Sequence, residues 1–177
     1  GKGNQGYIVT NNGEKLEGFV KIGTQGPNGL VSVRYSNTEK GKYKKYKVKK
    51  LKEYSLNSET FIKAKIKTGL FGGKKVLFCK LYKTTPAFTI LFSPEDMSKG
   101  EPAELFIIDS DKYDGITEFH IKKNDGDSYH RITRLKYKKS MMELCGDKAT
   151  WVEKANTEKD WLKFINLDEN LEYYEKN

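Results

Sequence analysis

His120 and His130 are the two imidazoles of the chain, and they flank an Asn124-Asp125-Gly126 turn signal between the alternating segments ITEFHIKK and DSYHRITR. Imidazole is the side chain best suited to metal ligation and to proton transfer near neutral pH. If all three turn residues form the loop, Gly126 takes the left-handed position that closes a bulged connection and Lys123 faces Asp127. His120 then comes opposite His130, and a metal held between them would need a third ligand, with Glu118 or Ser128 as candidates. A two-residue Asp125-Gly126 turn instead places the histidines on opposite faces, as two surface groups flanking a hairpin. Either histidine with nearby carboxylates would also suit a hydrolase-like acid and base pair, because such groups need no local motif.

Three other groups of residues bear on chemistry. Asp109, Asp111 and Asp114 before Gly115 resemble a calcium loop, but the third acid is one position late and Tyr113 stands where a ligand belongs. A solvated turn is the expectation there. Cys79 lies in very apolar sequence and Cys145 on a helical pattern, so both read as buried free thiols without a metal. In residues 40–52, KGKYKKYKVKKLK, eight of thirteen residues are lysine, and Lys42, Lys44, Lys45, Lys47, Lys49 and Lys50 are the candidate binding residues for an anionic polymer, nucleic acid or polysaccharide. The plainer reading is an amphipathic strand or pair of strands with Tyr46, Val48, Tyr54 and Leu56 inward and lysines guarding an edge.

Charge is unevenly placed. Residues 1–83 carry 19 Lys or Arg against 5 Asp or Glu, a net +14, whereas residues 84–177 carry a net −5. With Arg34, Arg131 and Arg134 the only arginines, the guanidinium fork that reads guanine edges and grips phosphates is scarce. Lysine supplies nonspecific attraction alone. Gly-x-Ser-x-Gly, His-Glu-x-x-His, phosphate-loop and Cys-x-x-Cys motifs are all missing, so no catalytic residue and no cofactor is assigned.

The elements that must position these residues follow from periodicity. A length of 177 residues suits one folding unit. Residues 74–93, KKVLFCKLYKTTPAFTILFS, form two aromatic and β-branched runs around Thr84-Thr85-Pro86, expected as two strands covered on both faces. Before them, QGYIVTN and the alternating return from Lys15 to Ile22 make a hairpin around Asn12-Gly13, and Val31, Val33 and Tyr35 mark a third strand. Ile62, Ala64 and Ile66 alternate with lysines. Residues 93–103 read as a loop and Leu105–Ile108 as a strand.

After Arg134 the period becomes helical. Tyr137, Met141, Leu144 and Cys145 share one face that stops at Gly146. Asp147 is expected to cap a second helix, Thr157 with Asp160 a third through Trp161, and Asp168 a last turn, with Trp151 and Trp161 anchoring the tail. The fold expectation is α+β, predominantly antiparallel, a sandwich or barrel-like sheet over residues 1–135 with helices at 136–177 packed on it. No stretch approaches the ~20 apolar residues of a transmembrane helix.

The opening GYIVTNNGEKLEGFVKI and the helix SMMELCGDKATWVEKAN resemble a group of secreted or envelope-associated β-rich proteins of Bacteroidetes, over about two thirds of the chain. Members carry a Gly-Tyr strand, an Asn/Asp-Gly turn, a Gly-containing return strand and a C-terminal helix with a cysteine, although Leu144-Cys145-Gly146 stands here in place of their Asp-Cys-Pro. The resemblance implies export; a start at Gly1 rather than Met means that the natural N-terminus has been removed, by processing or by truncation, so the missing leader is itself uninformative. The resemblance implies no activity for any residue. The expectation is therefore a noncatalytic module of the cell envelope, secreted or periplasmic, whose partner is an envelope protein or an anionic polymer.

Overall fold

The computed structural model describes residues 2–26, 29–68, 73–92, 113, 116 and 118–177. Twelve strands and three α-helices occur among them: β1 (Asn4–Thr10), β2 (Lys15–Ile22), β3 (Gln25–Gly26), β4 (Gly29–Leu30), β5 (Ser32–Ser36), β6 (Lys44–Lys47), β7 (Leu51–Leu56), β8 (Glu59–Thr68), β9 (Gly73–Thr84), β10 (Phe88–Phe92), β11 (Glu118–Lys123), β12 (His130–Thr133), α1 (Tyr137–Cys145), α2 (Ala149–Thr157) and α3 (Leu167–Lys176). Ten strands pair in one sheet in the order β12-β11-β10-β9-β8-β7-β1-β2-β5-β6, and β3 with β4 form a small separate hairpin. The fold is thus α+β and mainly antiparallel, with helices at the C-terminus. The expected strand Leu105–Ile108, the 93–103 loop and the Asp109–Gly115 turn lie outside the described residues, apart from Tyr113.

Element type changes between Thr133 and Tyr137, where the sequence changes period. The compact units do not follow that boundary. One comprises Gly1–Lys65 and Lys75–Leu81, and the other comprises Ile66–Lys74 and Tyr82–Asn177. The apolar stretch at 74–93 does form two strands, β9 and β10, around Pro86. β10 is covered on both faces, since Ile90 and Leu91 are each fully buried, but Val76 on β9 is 52 % exposed, so the expectation of cover on both faces fails there.

In the first unit, hairpins joined by short turns stack one after another. Gly13 takes φ +88° between β1 and β2, and Asn57 and Ser58 at φ 52° and 63° make the two-residue connection from β7 to β8, whose positive angles match the strand twist. Ile8, Val20, Val33, Leu51 and Tyr54 form a buried cluster there, with Tyr54 stacked on Phe61 at 4.8 Å between ring centres. Gly6 and Gly18 sit opposite each other in the β1-β2 ladder. A Cβ on Gly6 would lie 2.0 Å from the Ser55 carbonyl oxygen and one on Gly18 2.4 Å from that of Ser36. Backbone closeness, which only glycine permits, sets the packing at those two points.

In the second unit, β10, β11 and β12 bury one face against the helices. Phe88, Ile90, Phe119, Ile121 and Ile132 meet Tyr137, Met141, Leu144, Cys145, Trp151, Phe164 and Leu171. α1 buries the four residues its spacing predicts. The capping expectations are corrected. Asp147 does not cap α2; its carboxylate accepts the Tyr174 hydroxyl at 2.9 Å and pairs with Lys123 at 3.0 Å. Thr157 ends α2 and donates back to the Glu153 carbonyl at 2.8 Å, and Trp161 lies in turns, followed by a single 3-10 turn at Phe164–Asn166, rather than in an α-helix. Asp168 lies inside the first turn of α3. Trp151 is fully buried, donates from Nε1 to the Asn170 carbonyl at 3.0 Å and packs on Trp161.

Candidate functional site

β6 is the last strand of the sheet, so the lysine-rich stretch does occupy an edge. Lys44, Lys45 and Lys47 lie on β6, Lys49 and Lys50 in the 3-10 turn that follows, and Lys42 just before the strand, and all six are exposed. Alternation divides them. Lys44 shares its side of the strand with Tyr46, which stands opposite the buried Val33, and its amine sits 5.2 Å from the centre of the Tyr46 ring. Lys45 and Lys47 project from the other side.

On that other side the ladder adds two residues that composition alone does not single out. β5 sets Arg34 directly opposite Lys45, and β2 sets Lys21 directly opposite Arg34. Three cations therefore stand in one row across three adjacent strands, stepping by the interstrand distance of about 4.8 Å. Arg34 and Lys45 are exposed and Lys21 half-buried. Like charges placed directly opposite repel and lower stability. Among the described residues, no carboxylate pairs with Arg34, Lys45 or Lys47. The acid of β2 that faces the same way, Glu17, is four residues from Lys21, about 13 Å along the strand, and is bound to Lys15 at 3.3 Å.

Beside the row stands Tyr43. The Lys21 amine lies 3.8 Å above its ring centre, and the ring packs so tightly on Gly3 that a Cβ there would fall within 2.9 Å of ring atoms. Its hydroxyl donates to the Glu39 carbonyl at 2.9 Å. The ring anchors Lys21 and is occupied on that account.

The residues expected to carry acid, base or metal chemistry lie in the second unit. β11 and β12 pair with His120 opposite Arg131 and His130 opposite Ile121. The register is the one a two-residue Asp125-Gly126 turn would give, and the imidazoles leave the ladder on opposite faces. The shared metal site at His120 and His130 is thereby corrected, since it requires both on one face. Among the described residues, no three His, Cys, Asp or Glu side chains gather to hold a metal ion.

His120 is 1 % exposed and its Nε2 lies 3.8 Å from the Glu118 carboxylate, which also binds Arg131 Nε. Glu118 is itself buried, so the carboxylate bridges two basic groups inside the fold rather than in an open cleft. Such a buried, doubly partnered acid meets the requirement that an interior charge be compensated.

A second polar node joins sheet and helix. Asp168 accepts hydrogen bonds from the Tyr113 hydroxyl at 2.7 Å and the Tyr82 hydroxyl at 3.1 Å, and pairs with Lys83. Its own backbone N–H donates to the Tyr113 oxygen at 3.0 Å. Burial, then the neighbouring Asp168 charge, pushes the Tyr82 hydroxyl up to about 12, and burial raises Tyr113 and Tyr137 also. These phenols stay protonated and serve as donors. Cys79 and Cys145 are both free and buried. Burial pushes the Cys145 thiol up to about 12, which removes the thiolate a nucleophile or metal ligand needs.

No helix among the described residues is long and apolar enough to cross a membrane. Compared with known proteins, the chain matches no family model, no curated protein and no solved structure.

Proposed function

We propose that the protein is a noncatalytic, exported β-rich module of the cell envelope that binds an anionic partner through the basic edge of its first unit. The observation that carries this reading is the fate of the six sequence-predicted lysines. All are exposed, on or beside an edge strand, in the half of the chain that holds the positive charge. Long-range attraction from such a surface raises encounter rates and local concentration of polyanions.

The opposing supports come from the second unit. The acid and base candidates there are enclosed or bound internally in part: His120 is buried 3.8 Å from Glu118, Glu118 holds Arg131, Tyr82 and Tyr113 donate to Asp168, and His130 is half-buried. A general base must come within hydrogen-bond reach of a substrate proton, and His120 at 1 % exposure has no such access. Retention on an anionic cation-exchange matrix and on bacterial envelope preparations, measured from low to high salt, tests the reading. Retention that falls steeply with salt is expected, and fractionation of the native precursor should place the protein outside the cytoplasm. Retention that ignores salt, or a cytoplasmic location, would remove its basis.

A further inference from the structure

Resting on that reading, we infer that the outer side of β6 receives an acidic, extended segment of another protein as an added antiparallel strand, with carboxylates opposite Lys45 and Lys47. Charge by itself does not choose among polyanions. Half-buried Phe19 stands on the same face of β2 as Lys21, so that face would take a nucleic-acid base as readily as a sugar acid. The backbone of the edge makes the choice.

Ser32 bonds towards β2, accepting from the Gly23 N–H at 2.9 Å and donating to the Thr24 carbonyl at 3.2 Å, while the Val31 carbonyl accepts from the Val48 N–H at 3.0 Å. Opposed residues in an antiparallel ladder alternate between hydrogen-bonded and non-hydrogen-bonded pairs. Val33–Tyr46 and Tyr35–Lys44 therefore carry the bonds between β5 and β6, and Arg34–Lys45 and Ser32–Lys47 do not. The Lys45 N–H and carbonyl and the Lys47 N–H point away from β5, and among the described residues no strand pairs with that side. Neither a polysaccharide nor a nucleic acid has a row of amides to match them. An extended peptide does, and strand addition draws its affinity from such main-chain bonds and its specificity from alternate side chains.

The side chains of the same two lysines supply the selection. Lys45 ends the row begun by Lys21 and Arg34, so the residue pairing with Lys45 becomes its next member. A carboxylate there relieves the opposition of like charges, whereas a second copy of β6 adds to it. Lysines on this edge thus turn away copies of the chain and admit an acid. The partner residue between two acids falls beside Tyr46 on the opposite face, where a β-branched side chain packs. The selected pattern is acid, apolar, acid.

Fluorescence anisotropy of a short labelled peptide alternating Glu and Val, titrated with the full chain, tests the inference. Binding that weakens with salt is expected. Methylating the glutamate nitrogens, whose N–H groups face β6 in this pairing, should lower affinity about tenfold or more, while methylating the valine nitrogens, which face solvent, should change it about twofold at most. Lys47 already has φ −68°, the angle proline imposes, so Lys47→Pro removes the outward N–H without straining the strand. It should bind about fivefold more weakly than Lys47→Gln, which loses the charge alone. Replacing the exposed Lys136, Lys138 and Lys139 of the second unit by Gln should leave binding unchanged, and circular dichroism melting establishes that each variant is folded. Equal losses from the two methylation patterns, or competition by polygalacturonate or oligo-dT as strong per charge as that of the peptide, would overturn strand pairing and leave a basic surface open to any polyanion. Equal loss from the second-unit set would remove the site from β6. Self-association that Lys47→Pro abolishes would assign the edge to a second copy instead. Absence of salt-sensitive binding to the peptide and to both polyanions would overturn the pairing and the anionic-partner reading together.

Discussion

The two units solve the same problem, burying one face of an antiparallel ladder, with opposite means. The first gathers Ile8, Val20, Val33, Leu51 and Tyr54 into one buried cluster and sets its strands close by placing Gly6 and Gly18 where any Cβ would strike a neighbouring carbonyl. The second fills its interior with aromatic mass, interlocking Tyr82, Tyr113, Phe119, Phe164 and Tyr137 edge to face, and ties the phenols to Asp168 and Asn170. A core that depends on bulk and buried bonds leaves its polar groups committed. A core that depends on close backbones leaves the outer face of its strands free to carry charge, and it is there that the lysines and Arg34 stand.

The contrast can be broken by mutation. The largest effect is expected in the aromatic unit: Trp151→Ala removes a fully buried indole and its bond to Asn170 and should cost about 4 kcal/mol in urea unfolding. A loss near 1 kcal/mol would mean that the helical tail collapses to fill the space, and that bulk there matters less than argued.

Asp168→Asn comes next. It removes the charge that Tyr82, Tyr113 and Lys83 share and should cost about 3 kcal/mol at neutral pH. The same node predicts alkaline behaviour. Tyr82 has its folded value raised from 10.0 to about 12, so its contribution is whole below pH 10 and is lost as pH climbs through 12. Stability of the wild type should therefore fall across that window, and Tyr82→Phe should flatten part of the decline. A profile identical in both proteins would separate Tyr82 from the node.

In the first unit, Gly6→Ala should cost about 2 kcal/mol, because the contact is with a backbone carbonyl that cannot swing aside. Unchanged melting would show that the strands have slack and that closeness is not what holds this unit. The smallest effect sharpens the comparison most. Arg34→Gln should raise stability by a few tenths of a kcal/mol at low salt and by nothing at high salt, because it relieves repulsion from Lys21 and Lys45. A destabilised variant would identify Arg34 as a structural residue.

Where local pattern and tertiary demand agreed, the elements were legible. The strands β1, β2, β9 and β10 and the buried face of α1 follow from alternation, turn residues and 3.6-residue spacing. Legibility ended where a side chain had two suitors. Asp147 and Thr157 have the residue types of helix caps, but Asp147 is taken by Lys123 and Tyr174 and Thr157 by the Glu153 carbonyl. The same competition claims Asp168, which sits in a helix start yet serves two tyrosines. For the histidines the uncertainty was one residue of register, which is enough to move a strand's whole set of side chains to the other face. At the basic face, parity along β2 and β5 marks Lys21 and Arg34 as outward residues, a signal available in the sequence, but not as neighbours of Lys45.

By itself the sequence determined the strands β1, β2, β9 and β10 and the buried face of α1, which end of the chain is basic and that both cysteines are enclosed, since each depends on residues a few positions apart. Only the tertiary structure decided that His120 and His130 part company and that Lys21, Arg34 and Lys45 line up. Those facts are set by which strands lie side by side and in what register, and adjacency between residues 21, 34 and 45 arises from closure of two ladders rather than from any local preference of the chain.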